Sequence, residues 1–465
     1  MGVTIAAVGV VGIFSGRRVQ NSRDFAVSGQ RARVGVLVGM LMGIVGGAAT
    51  VGASQMAFQY GLSGWWFTLG GGIACLAMGL FYAGPLRRSG AETVPEFIGR
   101  VYGPGTRVVT GVVATLAMFI QVFGQVLSCV ALLGASFGLD PSVAVLLSAG
   151  LMLTYVFFGG AWGAGLVGVV KSVLIYISLA CAGVVAYRLA GGIKGLGSVF
   201  PRYPWFSLFG RGLDEDGAAA VSVVIGLLST QTYLQVMFAG KDVATCRKAA
   251  FASAVLIPPT GLACVLVGMY MKMSRPEIDS AHVLPLFFLE HTWPVIGGLA
   301  VASLLVAVVG TGAGLALGMS VMVAKDVYAR LLRKNALDRE ILTVSRAAVA
   351  VILASSTFFA ATNLKSMILS WAYLSMGIRG SAIFFPLVGA MLSRGRSYPP
   401  WVGILGAAAG PAAILMWALF VGKGPDPLYV GLAASAMALG VGTLASIHTS
   451  GRSSARLSCG AGKSV

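Results

Sequence analysis

Charge is scarce in this chain, and acid is scarcer than base: only 10% of 465 residues are charged, with 15 acidic against 33 basic. No aspartate or glutamate is expected inside an apolar stretch, since each falls in a loop or at a helix end. Cysteine is sparse too. Cys75, Cys129, Cys181, Cys246, Cys264 and Cys459 lack metal-ligand spacing, which argues against a metal site or a disulfide framework. The histidines, His282, His291 and His448, are scattered, and no nucleophile, base and orienting group can be grouped, so an enzyme is not expected and no cofactor is implied. Also missing is any polar stretch long enough to fold alone. The chain therefore reads as a single membrane domain, 1–450, with a Ser/Gly/Arg tail at 451–465 expected to be disordered and cytoplasmic.

What is present is apolar: 57% of residues are hydrophobic and the mean hydropathy is strongly positive. Crossing about 30 Å of hydrocarbon takes roughly 20 apolar residues in a helix. Such spans are expected at 34–60, 62–86, 108–137, 142–159, 164–187, 218–240, 247–271, 292–324, 343–362, 366–392, 399–421 and 428–447. A shorter apolar piece, 1–15, lacks the charged start and small-residue cleavage site of a signal peptide and reads as a truncated first helix. The fold class is thus an all-α polytopic membrane protein with about 13 transmembrane helices.

The net charge of +18 invites a nucleic-acid reading, but its distribution opposes one. With the N-terminus outside, 23 of the 33 basic residues fall on the cytoplasmic side and eight on the other. That bias predicts a multi-pass protein of the cytoplasmic (inner) membrane, N-terminus outside and C-terminus inside. The partners implied are a small solute and the lipid bilayer, with no nucleic acid and no obligatory protein partner. Two basic residues remain, Lys171 and Arg379, and both lie within spans.

Two spans are interrupted. Gly46, Gly47, Ala48, Ala49, Thr50 and Gly52 break the run that starts at Val34, and Thr230, Gln231, Thr232, Tyr233 and Gln235 form a polar knot within 218–239. Lipid offers no hydrogen bonds, so irregular backbone and clustered amides at membrane depth need protein or a watery cavity around them. One broken segment in each half of a long polytopic chain points to a secondary transporter built from inverted repeats. A channel would need a continuous polar stripe instead. An alternative class is a solute-sensing module that signals to a partner protein; it is the weaker one, because no kinase-sized cytoplasmic extension is present.

Several strings resemble one family. Ser22 to Gly29 (SRDFAVSG) looks like the approach to the first core helix of the sodium/solute symporter family, and Gly46 to Trp66 resembles that helix and the turn after it. Thr93 to Ile98 (TVPEFI), Thr230 to Asp242 (TQTYLQVMFAGKD) and Lys325 to Tyr328 (KDVY) are similar to its loop after the second helix, its sixth helix and the end of its eighth. The resemblance implies a LeuT-like fold: a 5+5 inverted-repeat core at 34–187 and 218–392, flanked by the 1–15 piece and two additional helices at 399–447. Substrate is then expected between the first, third, sixth and tenth core helices. A cation is expected between the first, fifth and eighth.

By that resemblance the carbonyls of Met42 and Val45 flank the sodium site, with Ala307, Gly310 and Thr311 facing them from the eighth helix. The family places a carbonyl and two hydroxyls there, and only Thr311 keeps its hydroxyl, so a sodium site is possible but degraded. The family's Thr-Asp motif in the fifth helix gives way here to Lys171 and Ser172. Lys171 either fills the sodium space, making a proton the coupling ion or leaving transport uncoupled, or snorkels to the headgroups. Arg379, among Ser375, Gly377, Gly380 and Ser381, either clamps a substrate carboxylate, as of an organic acid or amino acid, or holds backbone carbonyls. Gln121 and Gln125 share one helix face. With Gly46, Gly47, Ala49, Thr50, Thr230, Gln231, Tyr233 and Arg379 they make up the expected substrate site, Gln231 and Tyr233 being open to a capping role instead. Trp65 and Trp66 read as interfacial anchors.

Overall fold

The computed structural model describes residues 30–460 except 334, 365, 394 and 422–423; the side chains of 155–168, 170, 330–331 and 447–460 lie outside the description. The expected first helix at 1–15 and the string at 22–29 fall outside it as well. Backbone amides in lipid must be satisfied within their own segment, which leaves helices as the solution for a chain this apolar. Among the described residues there is no strand, only an isolated bridge between Ala32 and Gly240.

The helices are α1 (Val34–Leu41), α2 (Ala53–Tyr60), α3 (Trp66–Ala77), α4 (Ala83–Ser89), α5 (Val94–Tyr102), α6 (Pro104–Phe137) and α7 (Pro141–Leu189). The short α8 (Gly192–Val199) and α9 (Arg202–Trp205) lead to α10 (Leu213–Leu227), α11 (Gln231–Ala239), α12 (Val243–Ser274) and α13 (Val283–His291). Then come α14 (Pro294–Met322), α15 (Asp338–Ala361), α16 (Ile368–Leu392), α17 (Pro400–Met416) and α18 (Pro427–Gly460). Ten helices among the described residues are long and apolar enough to cross a membrane, some merging neighbouring elements, as in Ala48–Ser89 and Leu213–Ala239. Leu146, Val255, Phe358 and Leu405 are exposed on helix surfaces, as lipid-facing positions are.

The chain is interrupted twice, between Val34–Ile44 and the crossing that begins at Ala48, and within Leu213–Ala239. After α1 the chain tightens over Met42–Ile44, leaves helical geometry at Val45 (φ −80°, ψ 83°), and resumes through a widened turn, Ala48–Gly52, into α2. Glycine is required at 46 and 47 by close approach: a Cβ on Gly46 would sit 2.4 Å from Thr311 Oγ1, and one on Gly47 2.2 Å from Ser128 Oγ. The second interruption separates α10 from α11, where Thr230 is extended (φ −92°, ψ 121°). Its hydroxyl donates to the Gly226 carbonyl at 2.6 Å, which also accepts from the Ser229 amide at 3.1 Å. α6 and α16 pack on each other; α14 packs on both α6 and α7, and α1 on α7, which brings the two breaks to one layer of the bundle.

Several boundaries differ from expectation. The separate spans 142–159 and 164–187 lie in one continuous helix, α7. The boundary expected at 160–163 is absent, because a helix satisfies those amides without leaving the ladder. The eighth core span does not stop at 324: a widened helical stretch, Val323–Leu332, continues it and carries Asp326, which is fully buried. Asp214, Glu215 and Asp216, expected in a loop, form the first turn of α10, where acidic side chains suit the exposed N–H groups. The last helix runs to Gly460, into the tail expected to be disordered. Trp65 and Trp66 are tied to protein, donating to the Pro258 carbonyl at 2.8 Å and the Leu208 carbonyl at 2.6 Å.

Candidate functional site

The layer between the two breaks is built around Arg379. Its position on α16, one residue before a glycine whose Cβ would meet Ile225 and the Gly226 amide, sets the guanidinium beside the second break. Arg379 has no exposed surface. Nη2 donates to Gln121 Oε1 at 2.5 Å and Nη1 to Ser375 Oγ at 3.2 Å, while Ser375 in turn donates to the Ala117 carbonyl. The Nε–H has no hydrogen-bond partner, and no ion pair to Arg379 is present among the described residues. The hydroxyl of Tyr233, 1% exposed, also lacks a partner, as does Gln235 Nε2. Buried N–H and O–H groups left unpaired cost free energy, so an orphaned guanidinium N–H and phenol in one layer mark a place for an acceptor.

Gln121 and Gln125 share a face of α6, as their spacing requires, and both point at this layer. Gln125 Oε1 accepts from the Gly47 amide at 2.8 Å and so caps the first break. Thr50 donates to the Gly46 carbonyl at 2.8 Å; Gly46, Gly47, Ala49 and Thr50 are all buried. These residues hold the broken helix in shape, leaving Arg379 and Tyr233 with free polar atoms.

Gln231 belongs elsewhere. Its Oε1 accepts from the Val94 amide at 2.7 Å and its Nε2 donates to the Glu92 carbonyl at 3.3 Å, so it ties the start of α11 to that of α5. Between the two readings open to it, its amide is engaged with backbone, the Val94 N–H at the first residue of α5 and the Glu92 carbonyl just ahead of it.

Between the first break, α7 and α14 lies the expected cation position. Lys171 is 2% exposed and does not snorkel. Its ammonium donates to the Thr311 hydroxyl at 3.2 Å and the Ala307 carbonyl at 3.4 Å. Thr311 passes its own proton to the Gly43 carbonyl at 2.8 Å. The carbonyl of the first helix that Thr311 engages is that of Gly43, while the Met42 carbonyl accepts from the Val45 amide at 3.0 Å within the tight turn. Gly310 precedes Thr311 on α14 and is partly exposed.

Sequence reasoning missed a charged lattice at the end of the bundle that carries Arg87, Lys241 and Lys325. Asp326 accepts from Arg107 at 2.6 Å and from Thr93 at 3.2 Å, and Lys325 pairs with Glu92. On α5, Glu96 accepts from the Glu92 amide at 3.0 Å and from Arg100 at 2.8 Å. Burial alone would raise the Glu96 carboxyl, but these bonds and the charges of Arg107 and Arg100 hold it below its ordinary range. The pairing of Glu92 and Asp326 with bases in or beside the strings TVPEFI and KDVY was the available signal. At the opposite end Arg211 grips Asp216 at 2.6 Å beside a cavity of about 380 Å³, lined by residues of α10, α16 and the start of α18 such as Ser222, Tyr373 and Asp426.

Similar proteins extend along nearly the whole chain. The high-affinity proline transporter PutP of Bacillus subtilis is 24% identical over 434 residues, 88% of this chain and 89% of its own length. The high-affinity choline transporter 1 of Caenorhabditis elegans is 25% identical over 452 residues, 89% of this chain and 76% of its own. Among solved structures, a Na+-coupled sialic acid symporter in a substrate-bound outward-open state superposes with TM-score 0.78 at 18% identity, covering 95% of both chains. The nucleobase-cation symporter Mhp1 superposes with TM-score 0.61 at 13% identity, covering 91% of this chain and 95% of its own. These neighbours share the LeuT-like fold, and the relatives place the chain among cation-coupled transporters rather than enzymes. A model of the sodium:solute symporter family matches residues 28–394, and the chain belongs to that family.

Proposed function

We propose that this protein is a secondary transporter that carries a small organic solute bearing a carboxylate, as an amino acid or organic acid does, by alternating access. One observation carries the reading: a fully buried arginine whose Nε–H is unpaired, beside an unpaired Tyr233 hydroxyl, in the layer where two helices are broken. A carboxylate would accept from both, one oxygen from the charged Arg379 Nε–H and the other from the Tyr233 hydroxyl. The buried charges of this layer, Arg379 and Lys171, are both positive, which disfavours a cationic cargo such as choline and suits the carboxylate of proline.

The reading takes the core as a 5+5 inverted repeat at 34–187 and 218–392 with two further helices at 399–447, the continuous α7 standing where that core has its fourth and fifth helices. The positive-inside bias supports an inner membrane location with the N-terminus outside and the charged lattice facing the cytoplasm. In this reading the Asp326, Lys325 and Gln231 ties close the cytoplasmic path, and the cavity beside Arg211 lies on the outer approach.

Counter-flow of labelled proline and of a panel of organic acids in liposomes tests it. Carboxylate solutes are expected to exchange and to compete, and Arg379→Gln is expected to lose at least ten-fold in affinity, the scale of one charge-assisted bond. Equal exchange of uncharged sugars by the native protein and the variant would reject it.

A further inference from the structure

We infer that the ammonium of Lys171 is a tethered cation that fills the cation position of this fold, so that transport by this protein does not use sodium. The inference rests on the transporter reading and concerns the cation position of that same fold.

Two acceptors face the Lys171 ammonium among the described residues, the Thr311 hydroxyl and the Ala307 carbonyl. Thr311 spends its single proton on the Gly43 carbonyl, which turns its lone pairs toward an incoming donor, and Lys171 supplies that donor at 3.2 Å. The Ala307 carbonyl takes a second N–H at 3.4 Å. A hard cation would be held by carbonyl and hydroxyl oxygens of this kind. They already carry a charge that cannot diffuse away.

Space and charge point the same way. Lys171 is 2% exposed, Ala307 0% and Thr311 4%, and Gly46 packs so closely on Thr311 that a methyl there would collide, so the ammonium sits in a position closed to solvent. No carboxylate bonds to Lys171 among the described residues to offset a further positive charge. The chain of bonds from Lys171 through Thr311 to Gly43 also joins α7 and α14 to the first break. Such a link is what a bound coupling ion would provide, here supplied by a side chain.

The experiment uses the purified full chain in detergent and in liposomes, with native protein, Lys171→Ala and, where alanine does not fold, Lys171→Met. Thermal stability is measured in NaCl against KCl at equal ionic strength, and counter-flow of labelled proline in the same two salts. The native protein is expected to melt within about one degree in both salts and to exchange solute equally in both. Lys171→Ala, which uncovers the Ala307 and Thr311 oxygens, is expected to gain a stabilisation specific to sodium, as preferential binding to the folded state requires. A sodium-specific melting shift of the native protein, or a ten-fold loss of its exchange in potassium, overturns the inference. Absence of exchange in either salt rejects the transport reading instead, and the melting comparison still decides the role of Lys171.

Discussion

Gly47→Ala is the sharpest local perturbation of the broken first helix. A Cβ at 47 would lie 2.2 Å from Ser128 Oγ and 2.3 Å from Ser128 Cβ, and 3.1 Å from the Gln125 Oε1 that accepts the Gly47 amide. Ser128 sits on α6 with its hydroxyl bonded to the Gly124 carbonyl at 2.8 Å, so it cannot move without its helix. Overpacking a tight interior costs about 1–3 kcal/mol. Losing the Gln125 bond adds about 1 kcal/mol. The sum, about 2–4 kcal/mol, corresponds to a shift of roughly 30- to 900-fold in the folded-to-unfolded ratio. Reversible unfolding in mixed micelles reads this directly. Ser128→Gly removes both clashing atoms at roughly 1 kcal/mol for a helical glycine. The double variant is therefore expected to be more stable than Gly47→Ala by more than about 1 kcal/mol. Additivity of the two substitutions within about 0.5 kcal/mol would refute the close approach and with it the packing of the break.

Gln231→Ala is expected to lower stability by about 1–3 kcal/mol, since the Val94 amide and the Glu92 carbonyl lose their shared partner, while solute affinity in the folded fraction stays within about two-fold. A ten-fold loss of affinity without loss of stability would return Gln231 to the substrate site. Glu96 has a folded pKa below its ordinary value of 4.5, so it stabilises the fold above that pH and the contribution disappears as pH falls through the folded value. Glu96→Gln is accordingly expected to flatten the acid limb of the melting temperature below about pH 4.5, measured from neutral pH downward; an unchanged limb would contradict the assignment.

The two breaks are legible in the sequence, because lipid tolerates glycine clusters and polar knots inside apolar runs only where protein or water surrounds them. So are the two buried bases, and the shared face of Gln121 and Gln125 follows from helical spacing alone. What spacing does not supply is the partner of each amide. Gln231 and Gln125 look alike in sequence, yet one bonds a helix start 137 residues away and the other a broken helix 78 residues away. The same limit hides Asp326: a lysine and an aspartate after an apolar run read as a helix end, whereas Arg107, 219 residues earlier, neutralises the carboxylate and lets the helix continue buried. In α7 the difference runs the other way. Hydropathy places a boundary at 160–163, yet the helix continues through it, since local propensity is a weak signal where backbone bonds cannot be given to water.

A structure determined with a carboxylate solute bound bears most directly on the account. The expected result is a carboxylate oxygen about 2.8 Å from Arg379 Nε and a second acceptor contact with the Tyr233 hydroxyl, between residues 42–47 and 228–230. Solute density confined to the cavity beside Arg211 and Asp426, with Arg379 Nε still unpaired, would contradict it.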